Sequence, residues 1–298
     1  MMTRARAVAA MVLLFANGVP APISLAGGAG QVRRQMTGLV LWVDAANRTL
    51  SVSCDSVPGF MPAMAMTFSV KDDALLARVV PGAAIEFTAA VDGDVSSVES
   101  LRVRRYQSLD SEPSEYRRLD LLTRLAAGEV SRRLEAGQTV PDFTLIDQEH
   151  QRVTFSRLAG SVRVLTFTYV RCPNPAYCFR LAGNLSQLQR RFKARLGKDL
   201  VLLTIAIDPE LDRGDALAEY ARTWTRNSRA WHFLTGPLAD VKGVAGLFGV
   251  QFWQVEGSLT HSFHTAVVDR RGVLVGNLDG NEFTAQQLGD LVQTVLDR

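Results

Sequence analysis

Between residues 37 and 105, apolar and polar residues alternate with a period of two, the pattern of strands that bury one face. The alternation is clearest in two segments, at Leu50, Val52 and Cys54 and at Met64, Met66, Phe68 and Val70. Asp92, Gly93 and Asp94 predict a hairpin turn, and one brief helix is expected near residues 72–79. Short strands at this spacing predict a small all-β module over residues 32–106, a five-stranded barrel of the OB type.

From residue 138 onward, strand-like apolar runs alternate with amphipathic helical stretches. The run Val162–Val170 is rich in β-branched and aromatic residues, which is typical of a strand buried on both faces. The next stretch carries an apolar stripe with helical spacing at Leu181, Leu185, Leu188 and Phe192. The alternation continues to a hairpin over residues 265–275 and a last helix. This order predicts an α/β domain of the thioredoxin type over residues 138–298, with a parallel sheet centre and an antiparallel edge.

Two further segments flank the β module. Residues 1–30 combine Arg4 and Arg6 with an apolar stretch, helix-breaking residues and small residues at Ser24 and Ala26, and so predict a secretory signal peptide. An uncleaved membrane anchor is the alternative. Either one places the remainder in the periplasm or another extracytoplasmic space, with membrane association only through this segment. Residues 107–137 are charge-rich and predict a linker that contains a helix.

Composition and charge exclude one class of partner. The chain has 298 residues, 47% of them hydrophobic, which is enough for about two domains with a core in each. The formal net charge is +3, and without Arg4 and Arg6 the 33 basic residues fall to 31 against 30 acidic residues. A nearly neutral chain has no basic field to hold nucleic acid, so we expect no nucleic-acid partner.

Two of the chain's three cysteines lie between the buried strand and the helix that follows it. Cys172 comes just after the strand, and Cys178 lies in the first turn of the helix, where the positive end of the helix dipole favours a thiolate. Such thiols are reactive or bind metal. A structural disulfide is the alternative, although a bridge across so short a loop removes little chain entropy. Three cysteines cannot all pair within one chain, so at least one remains for other chemistry.

The second domain resembles the Sco/SenC family of copper chaperones, which are thioredoxin-like proteins that help to metallate respiratory cytochrome oxidase. The resemblance rests on Val140–Phe143, the Phe167–Pro173 segment, Ile207–Glu210 and His261 with Ser262. It implies that Cys172, Cys178 and His261 bind copper and that the partner is a copper-accepting protein such as an oxidase subunit. Most members space the cysteines by three residues, whereas five intervene here, and Phe179 replaces the usual proline. The longer loop resembles a side branch of the family.

The donor atoms themselves also favour copper. Two thiolates and an imidazole suit Cu(I) and can hold Cu(II), whereas a zinc site usually takes a fourth protein ligand. His261 and His264 lie three residues apart on a predicted extended segment, so only one of them can face the cysteines. His150 and His232 are interpreted as structural. A thiol-disulfide oxidoreductase is the competing hypothesis, because such enzymes share the thioredoxin fold, and a peroxidase is a weaker one. Redox enzymes of this fold use Cys-x-x-Cys, and the cysteine spacing here differs, so a binding protein is favoured over an enzyme.

The β module resembles the CusF-type periplasmic copper-binding domain, chiefly through the segment Val57–Phe68. The resemblance implies that Met64 and Met66 bind Cu(I). Cys54 stands where that family usually has a histidine, and Met61 where an aromatic residue can stand. The alternative is that the two methionines fill the core of the barrel, as methionines on an apolar strand face commonly do. Cys54 is open to both interpretations, since it continues the apolar face of its strand.

Overall fold

The computed structural model describes residues 32–92, 95–105, 133–172, 175–255 and 258–298. The predicted signal segment, most of the predicted linker and the tip of the hairpin at Gly93 lie outside these residues. No helix in the described ranges is long and apolar enough to cross a membrane. The residues from 31 to 298 form one compact unit, which holds both predicted domains.

The first domain is a closed five-stranded barrel. Its strands are β1 (Val32–Asp44), β2 (Thr49–Cys54), β3 (Met64–Val70), β4 (Ala84–Asp92) and β5 (Val95–Val103), joined in the order β1-β2-β3-β5-β4. Only the β3–β5 pair is parallel among the described strands of the barrel, and β4 closes the barrel against β1. A short helix, α1 (Asp73–Leu76), is capped by the Asp72 side chain, which accepts from Ala74 N–H at 2.9 Å. The predicted barrel and its brief helix are confirmed.

The second domain is built on a seven-stranded sheet. Its strands in chain order are β6 (Thr144–Asp147), β7 (Arg152–Thr154), β8 (Val162–Thr168), β9 (Leu200–Ala206), β10 (Trp231–Thr235), β13 (His264–Val268) and β14 (Leu274–Asp279). A separate two-stranded ribbon consists of β11 (Phe252–Val255) and β12 (Ser258–His261). The sheet order is β14-β13-β8-β9-β10-β6-β7, with β8, β9 and β10 parallel and antiparallel edges on both sides. The predicted thioredoxin-like sheet is confirmed.

Helices cover both faces of this sheet. They are α2 (Arg180–Arg191), α3 (Gly214–Trp224), α4 (Leu238–Leu247) and α5 (Ala285–Leu296). One apolar cluster joins the sheet to α2, α3 and α5, and a second cluster joins it to α4. Every residue of β8 and β9 is buried, because these central strands are covered on both faces. The central strand β8 therefore fixes the position of the cysteine segment at the carboxyl end of the parallel strands.

The barrel packs directly on the second domain. Leu39 and Leu41 of β1 belong to the same apolar cluster as α2 and α5, and α5 lies against β1 and β2. Backbone contacts of the second domain begin at residues 133–137, where Leu134 N–H bonds Leu247 O and Gly137 N–H bonds Leu274 O, both at 2.8 Å. The two domains therefore share an interior as well as a chain.

Candidate metal centre

The turn after β8 carries Cys172. The backbone N–H of Cys172 bonds Tyr169 O at 3.2 Å, and Val170 N–H donates to Asp212 Oδ2 at 2.8 Å. These two bonds fold the chain back at the carboxyl end of the sheet. The Cys172 side chain is partly exposed at this edge. Its thiol is therefore within reach of solvent and of a partner.

Cys178 lies deeper than Cys172. It belongs to a π-helical turn, Pro175–Phe179, which runs directly into α2. Single π-turns are often found at functional sites. Only 2% of Cys178 is exposed, and it packs in the same cluster as Phe167 and Tyr169. The helical segment thus begins three residues before Cys178, slightly earlier than the apolar stripe of α2 indicated.

His261 is placed beside Cys178 by the end of β12. The ring atom Nδ1 lies 2.9 Å from the carbonyl oxygen of Ser262, and Nε2 lies 3.8 Å from Cys178 Sγ. A carbonyl oxygen only accepts, so Nδ1 carries the proton and Nε2 presents its lone pair to the cysteine. Burial lowers the pKa of His261 to about 4, so the imidazole is neutral at pH 7. A neutral imidazole with one nitrogen fixed by a backbone carbonyl is the form that binds metals.

Aromatic rings hold the imidazole in this orientation. The His261 ring centroid lies 4.5 Å from that of Phe263 and 6.1 Å from that of Tyr169, and Tyr177 packs on Phe263 at 5.2 Å. His264 begins the next strand, β13, in a different sheet, so the two histidines do not lie on one extended segment as the sequence indicated. The expectation that only one of them faces a cysteine agrees with the contact between His261 and Cys178.

The two cysteines of the loop are reduced and in contact with each other. The hydrogen bond with Cys172 is the largest cause that raises the pKa of Cys178, and burial is the second. The expectation that the helix dipole favours a thiolate at Cys178 is therefore wrong for the protein without metal. Burial among apolar side chains and a neighbouring thiol outweigh the dipole.

Cys178 contacts both of the other predicted ligands, Cys172 and His261. In the described ranges, no three His, Cys, Asp or Glu side chains converge closely enough to hold a metal ion. The three predicted ligands are thus close to one another but do not form a complete three-donor site. A movement of the Cys172 or His261 side chain is needed before all three donors reach one ion.

The predicted barrel ligands lie at one end of the barrel. Cys54 pairs with Met64, and Val52 with Met66, across β2 and β3, so Cys54, Met64 and Met66 share one face. Met64 is 44% exposed, Met66 is partly buried, and Cys54 is 1% exposed within the barrel core. Met61 is partly buried and packs against the same core from the turn Val57–Met61. Met64 is therefore exposed at the barrel surface, whereas Cys54 is buried in the core beside it.

Burial raises the pKa of Cys54 to about 12, with a smaller contribution from Asp55. Cys54 is consequently a neutral thiol in the apoprotein and packs as a small apolar residue. Of the other two histidines, His232 has a contact that agrees with its structural interpretation. His232 Nδ1 lies 3.2 Å from Asp147 Oδ2, and His150 occupies an exposed turn with φ of 60°.

Asp212 is a residue of the site that the sequence did not single out. It is fully buried, and its carboxylate fixes the turn before Cys172 through Val170. Burial raises the pKa of Asp212 to about 6. Arg171 pairs at 3.1 Å with Asp208, which precedes Asp212 by four residues. Asp208 lies in the segment Ile207–Glu210, which carries part of the family resemblance, and Asp212 follows it by four residues. This pair of acidic residues was the feature of the sequence that pointed to Asp212.

The fold and this cysteine–histidine edge define a thioredoxin-like protein with soft metal donors. The SCO1/SenC family model matches residues 131–296, more than half of the chain, and the chain belongs to the SCO1/SenC family. The family model of the copper binding periplasmic protein CusF matches residues 33–103. Both sequence resemblances are confirmed, and both families bind copper.

Relatives in other organisms match parts of the second domain. The SCO1 protein homolog of Bacillus subtilis is 28% identical over 97 residues, which are 33% of this chain and 49% of that protein. The mitochondrial SCO1 homolog 1 of Arabidopsis thaliana is 29% identical over 116 residues, 38% of this chain and 33% of that protein. The chain thus spans half or less of the length of these two relatives.

Solved structures match over a similar range. The copper-bound structure of Arabidopsis thaliana ScoI has 24% sequence identity and a TM-score of 0.48, and the match covers 54% of this chain and 100% of that one. Yeast Sco1 has 23% identity and a TM-score of 0.46, with 54% of this chain and 99% of that one covered.

Proposed function

We propose that this protein is an extracytoplasmic copper metallochaperone that binds Cu(I) through Cys172, Cys178 and His261. The observation that carries the proposal is the 3.8 Å contact between Cys178 Sγ and His261 Nε2, with Nδ1 fixed on a backbone carbonyl. This contact joins two soft or borderline donors from segments 83 residues apart. The Cys172 thiol contacts Cys178. Two sulfurs and one neutral nitrogen form a donor set that suits Cu(I).

The donors support a mechanism of ligand exchange. Cys172 is the more exposed thiol, so it is the first to reach an incoming ion or a partner's ligand. Cys178 and His261 are buried and supply the remaining bonds. Each thiol gives its proton to water as its sulfur binds copper, and the copper stays in the +1 state throughout. Stepwise replacement of one soft ligand by another needs no electron donor or acceptor. Oxidation of Cys172 and Cys178 to a disulfide would instead release the metal.

The barrel is proposed as a second Cu(I) site. Met64 and Met66 are the expected ligands, because they share one face of β3 and Met64 is exposed. Met61 and Cys54 complete the candidate set, with Cys54 reaching copper only if its buried thiol loses a proton. Thioether sulfurs bind Cu(I) without any change of protonation.

Location and acceptor are also part of the proposal. Residues 1–30 would act as a signal peptide or anchor, residues 32–106 as the copper-binding barrel, 107–137 as the linker and 138–298 as the thioredoxin-like domain. Membership of the SCO1/SenC family supports a respiratory oxidase subunit as the copper acceptor, with another periplasmic copper protein as the alternative. The CusF match supports a periplasmic location.

Anaerobic titration of the reduced full chain with Cu(I) against a competing chelator tests the thioredoxin-like site. We expect Cys172→Ser and Cys178→Ser each to lose most of the affinity of that site, and His261→Ala to weaken it less. His150→Ala, on an exposed turn, serves as the matched histidine control and should bind as wild type does. Unchanged affinity in the Cys172→Ser/Cys178→Ser double variant would contradict the proposal.

One observation favours a second candidate function, thiol-disulfide exchange. A partly exposed Cys172 in contact with a buried Cys178 is the arrangement of an attacking and a resolving thiol. Five residues separate the two cysteines, and Thr260 stands where redox enzymes of this fold place a proline before a later strand. Both features argue for slow turnover. We expect poor reduction of insulin compared with a Cys-x-x-Cys thioredoxin. Turnover equal to that of the thioredoxin would put the oxidoreductase first.

A further inference from the structure

The barrel meets the second domain through its candidate copper end. Three hydrogen bonds join the two: Ser53 Oγ donates to Asp290 Oδ2 at 2.7 Å, Gln287 Nε2 to Asp55 Oδ1 at 2.9 Å, and Gln286 Nε2 to Ala63 O at 3.0 Å. Ser53 and Asp55 flank Cys54 in the chain, and Ala63 precedes Met64. The residues that bracket two candidate barrel ligands are thus fixed on α5.

The first turn of α5 connects this contact to α2, the helix that follows the cysteine loop. Arg180 of α2 donates to Glu282 O at 2.8 Å, and Asn184 donates to Phe283 O at 2.9 Å. Thr284 and Gln287 form a reciprocal capping box at the start of α5, which makes this turn rigid. Arg180 stands two residues after Cys178. One hydrogen-bonded framework therefore supports both candidate copper sites.

A cleft of about 440 Å³ lies where the barrel residues around Cys54 and Ala63 meet α2 and the start of α5. Cys54, Asp55 and Ala63 contribute to its barrel wall, and Arg180, Asn184 and Gln286 to the opposite wall. One candidate ligand, Cys54, thus borders the cleft itself. Arg180 lines the same cleft and stands two residues after Cys178, whereas Cys178 itself is buried beside Phe167 and Tyr169.

The docking of the barrel is also close at a second place. A Cβ atom built on Gly276 of β14 would lie 2.6 Å from Pro81 O, and the three nearest atoms all belong to the barrel. Only glycine permits this approach, because real Cβ atoms do not come so near a backbone oxygen. At a third place, the Arg298 guanidinium lies 3.6 Å from the centre of the Trp42 ring. Contacts at three separated places hold the barrel in one position.

We infer that the barrel supplies copper to the cysteine site of its own chain. This inference rests on the proposed function and adds the route. Cu(I) is captured first by Met64, the exposed sulfur donor, together with Met66. On transfer, each Cu(I)–thioether bond breaks while a Cu(I)–thiolate bond to Cys172 or Cys178 forms. The copper stays in the +1 state, and the protons of the thiols pass to water. The fixed docking makes this transfer intramolecular, which raises the effective concentration of the donor site.

Stopped-flow mixing of the reduced full chain with half an equivalent of Cu(I) in acetonitrile tests the route. The near-ultraviolet absorption of Cu(I)–thiolate bonds reports arrival at the cysteines, and the signal of a Cys172→Ser/Cys178→Ser chain is subtracted to remove any contribution of Cys54. In wild type we expect a slow phase whose rate is independent of protein concentration over a tenfold range. In Met64→Leu/Met66→Leu that phase should disappear, leaving only direct, concentration-dependent loading.

Gly276→Ala tests the transfer route independently of the two copper sites, because it displaces the barrel without altering any candidate ligand. We expect the intramolecular phase to slow at least tenfold while equilibrium titration still finds both sites. Gly183→Ala is the matched control, since a Cβ there meets nothing within 4 Å, and it should behave as wild type. Circular dichroism and the titration verify that each variant is folded.

The outcomes distinguish the inference from the function on which it rests. A Cu(I)–thiolate signal with the same kinetics in wild type, Met64→Leu/Met66→Leu and Gly276→Ala would overturn the route alone. The absence of any such signal at equilibrium in wild type would overturn the proposed function, and the route with it. A slow phase whose rate rises with protein concentration would show transfer between chains and would also overturn the route.

Discussion

Replacement of Asp212 tests whether a buried carboxylate holds the turn that carries Cys172. The side chain is fully buried, Oδ2 accepts from Val170 N–H at 2.8 Å, and Oδ1 has no hydrogen-bond partner within the described part of the chain. Burial raises the pKa of Asp212 from 3.8 to about 6, and the smaller effect of the Val170 hydrogen bond opposes it. The ionised carboxylate therefore lowers the stability of the folded protein at pH 7.

The sign and size of the effect follow from this pKa. Between pH 3.8 and about 6 the folded state binds the proton more tightly than the unfolded state, so the free energy of unfolding falls as the pH rises. A rise of about two units in the pKa of Asp212 corresponds to about 3 kcal/mol in the free energy of unfolding. Asp212→Asn keeps an acceptor for Val170 N–H and removes the charge. We expect its stability relative to wild type to increase by about 2–3 kcal/mol from pH 4 to pH 7.

Asp212→Ala should behave differently, because it leaves the Val170 N–H without its acceptor. That loss costs about 1–3 kcal/mol and loosens the turn before Cys172, so Cu(I) affinity should also fall. Urea unfolding of the reduced protein without metal, at several pH values, measures these differences. Glu210→Gln, an exposed neighbour, is the control for removal of a charge. Parallel pH profiles for wild type and Asp212→Asn would refute the reasoning.

Two further predictions concern copper binding. Met64→Leu/Met66→Leu should abolish Cu(I) binding by the barrel and change the unfolding free energy by less than about 1.5 kcal/mol, because leucine conserves volume and apolar area. Chelator titration measures the first effect and urea unfolding the second. If the variant binds Cu(I) as wild type does, both methionines are core residues and not ligands. The apparent Cu(I) affinity of the cysteine site should rise with pH across the neutral range, because the raised pKa of Cys178 means that metal binding must release its proton, and each proton released contributes up to about tenfold per pH unit. Titrations at constant ionic strength test this, and an affinity that is independent of pH would contradict it.

The fold was predictable because its two halves carry different periodicities. Alternation in β2 and β3 and the apolar stripe of α2 are local patterns, and each agrees with the element that forms. The contact of His261 with Cys178 was not predictable from periodicity or spacing, because only the sheet topology brings the ribbon end beside the cysteine loop. The resemblance to the SCO1/SenC family supplied that pairing. The pKa of Cys178 was predicted in the wrong direction, since the hydrogen bond with Cys172 and then burial raise it, and both are properties of the assembled site.

The docking of the barrel also left a signal in the sequence. Leu39, Val40 and Leu41 are consecutive apolar residues, whereas a strand that buries one face alternates. All three are buried, Val40 in the barrel core and the two leucines in the core of the other domain. The continuous run indicated a strand covered on both sides, but not which surface covers it. That information lies in Gly276 and α5, more than 200 residues away.

The two leucines of β1 change what counts as surface in the second domain. Without the barrel, the side of α5 that meets β1 and the edge strand β14 would face water. Here, Leu39 and Leu41 cover part of that side, and Gly276 admits the barrel backbone at the edge. Selection on these positions therefore follows the rules of an interior. A polar substitution on this side of α5 would therefore bury a polar group, and a side chain at Gly276 would meet the barrel backbone instead of water.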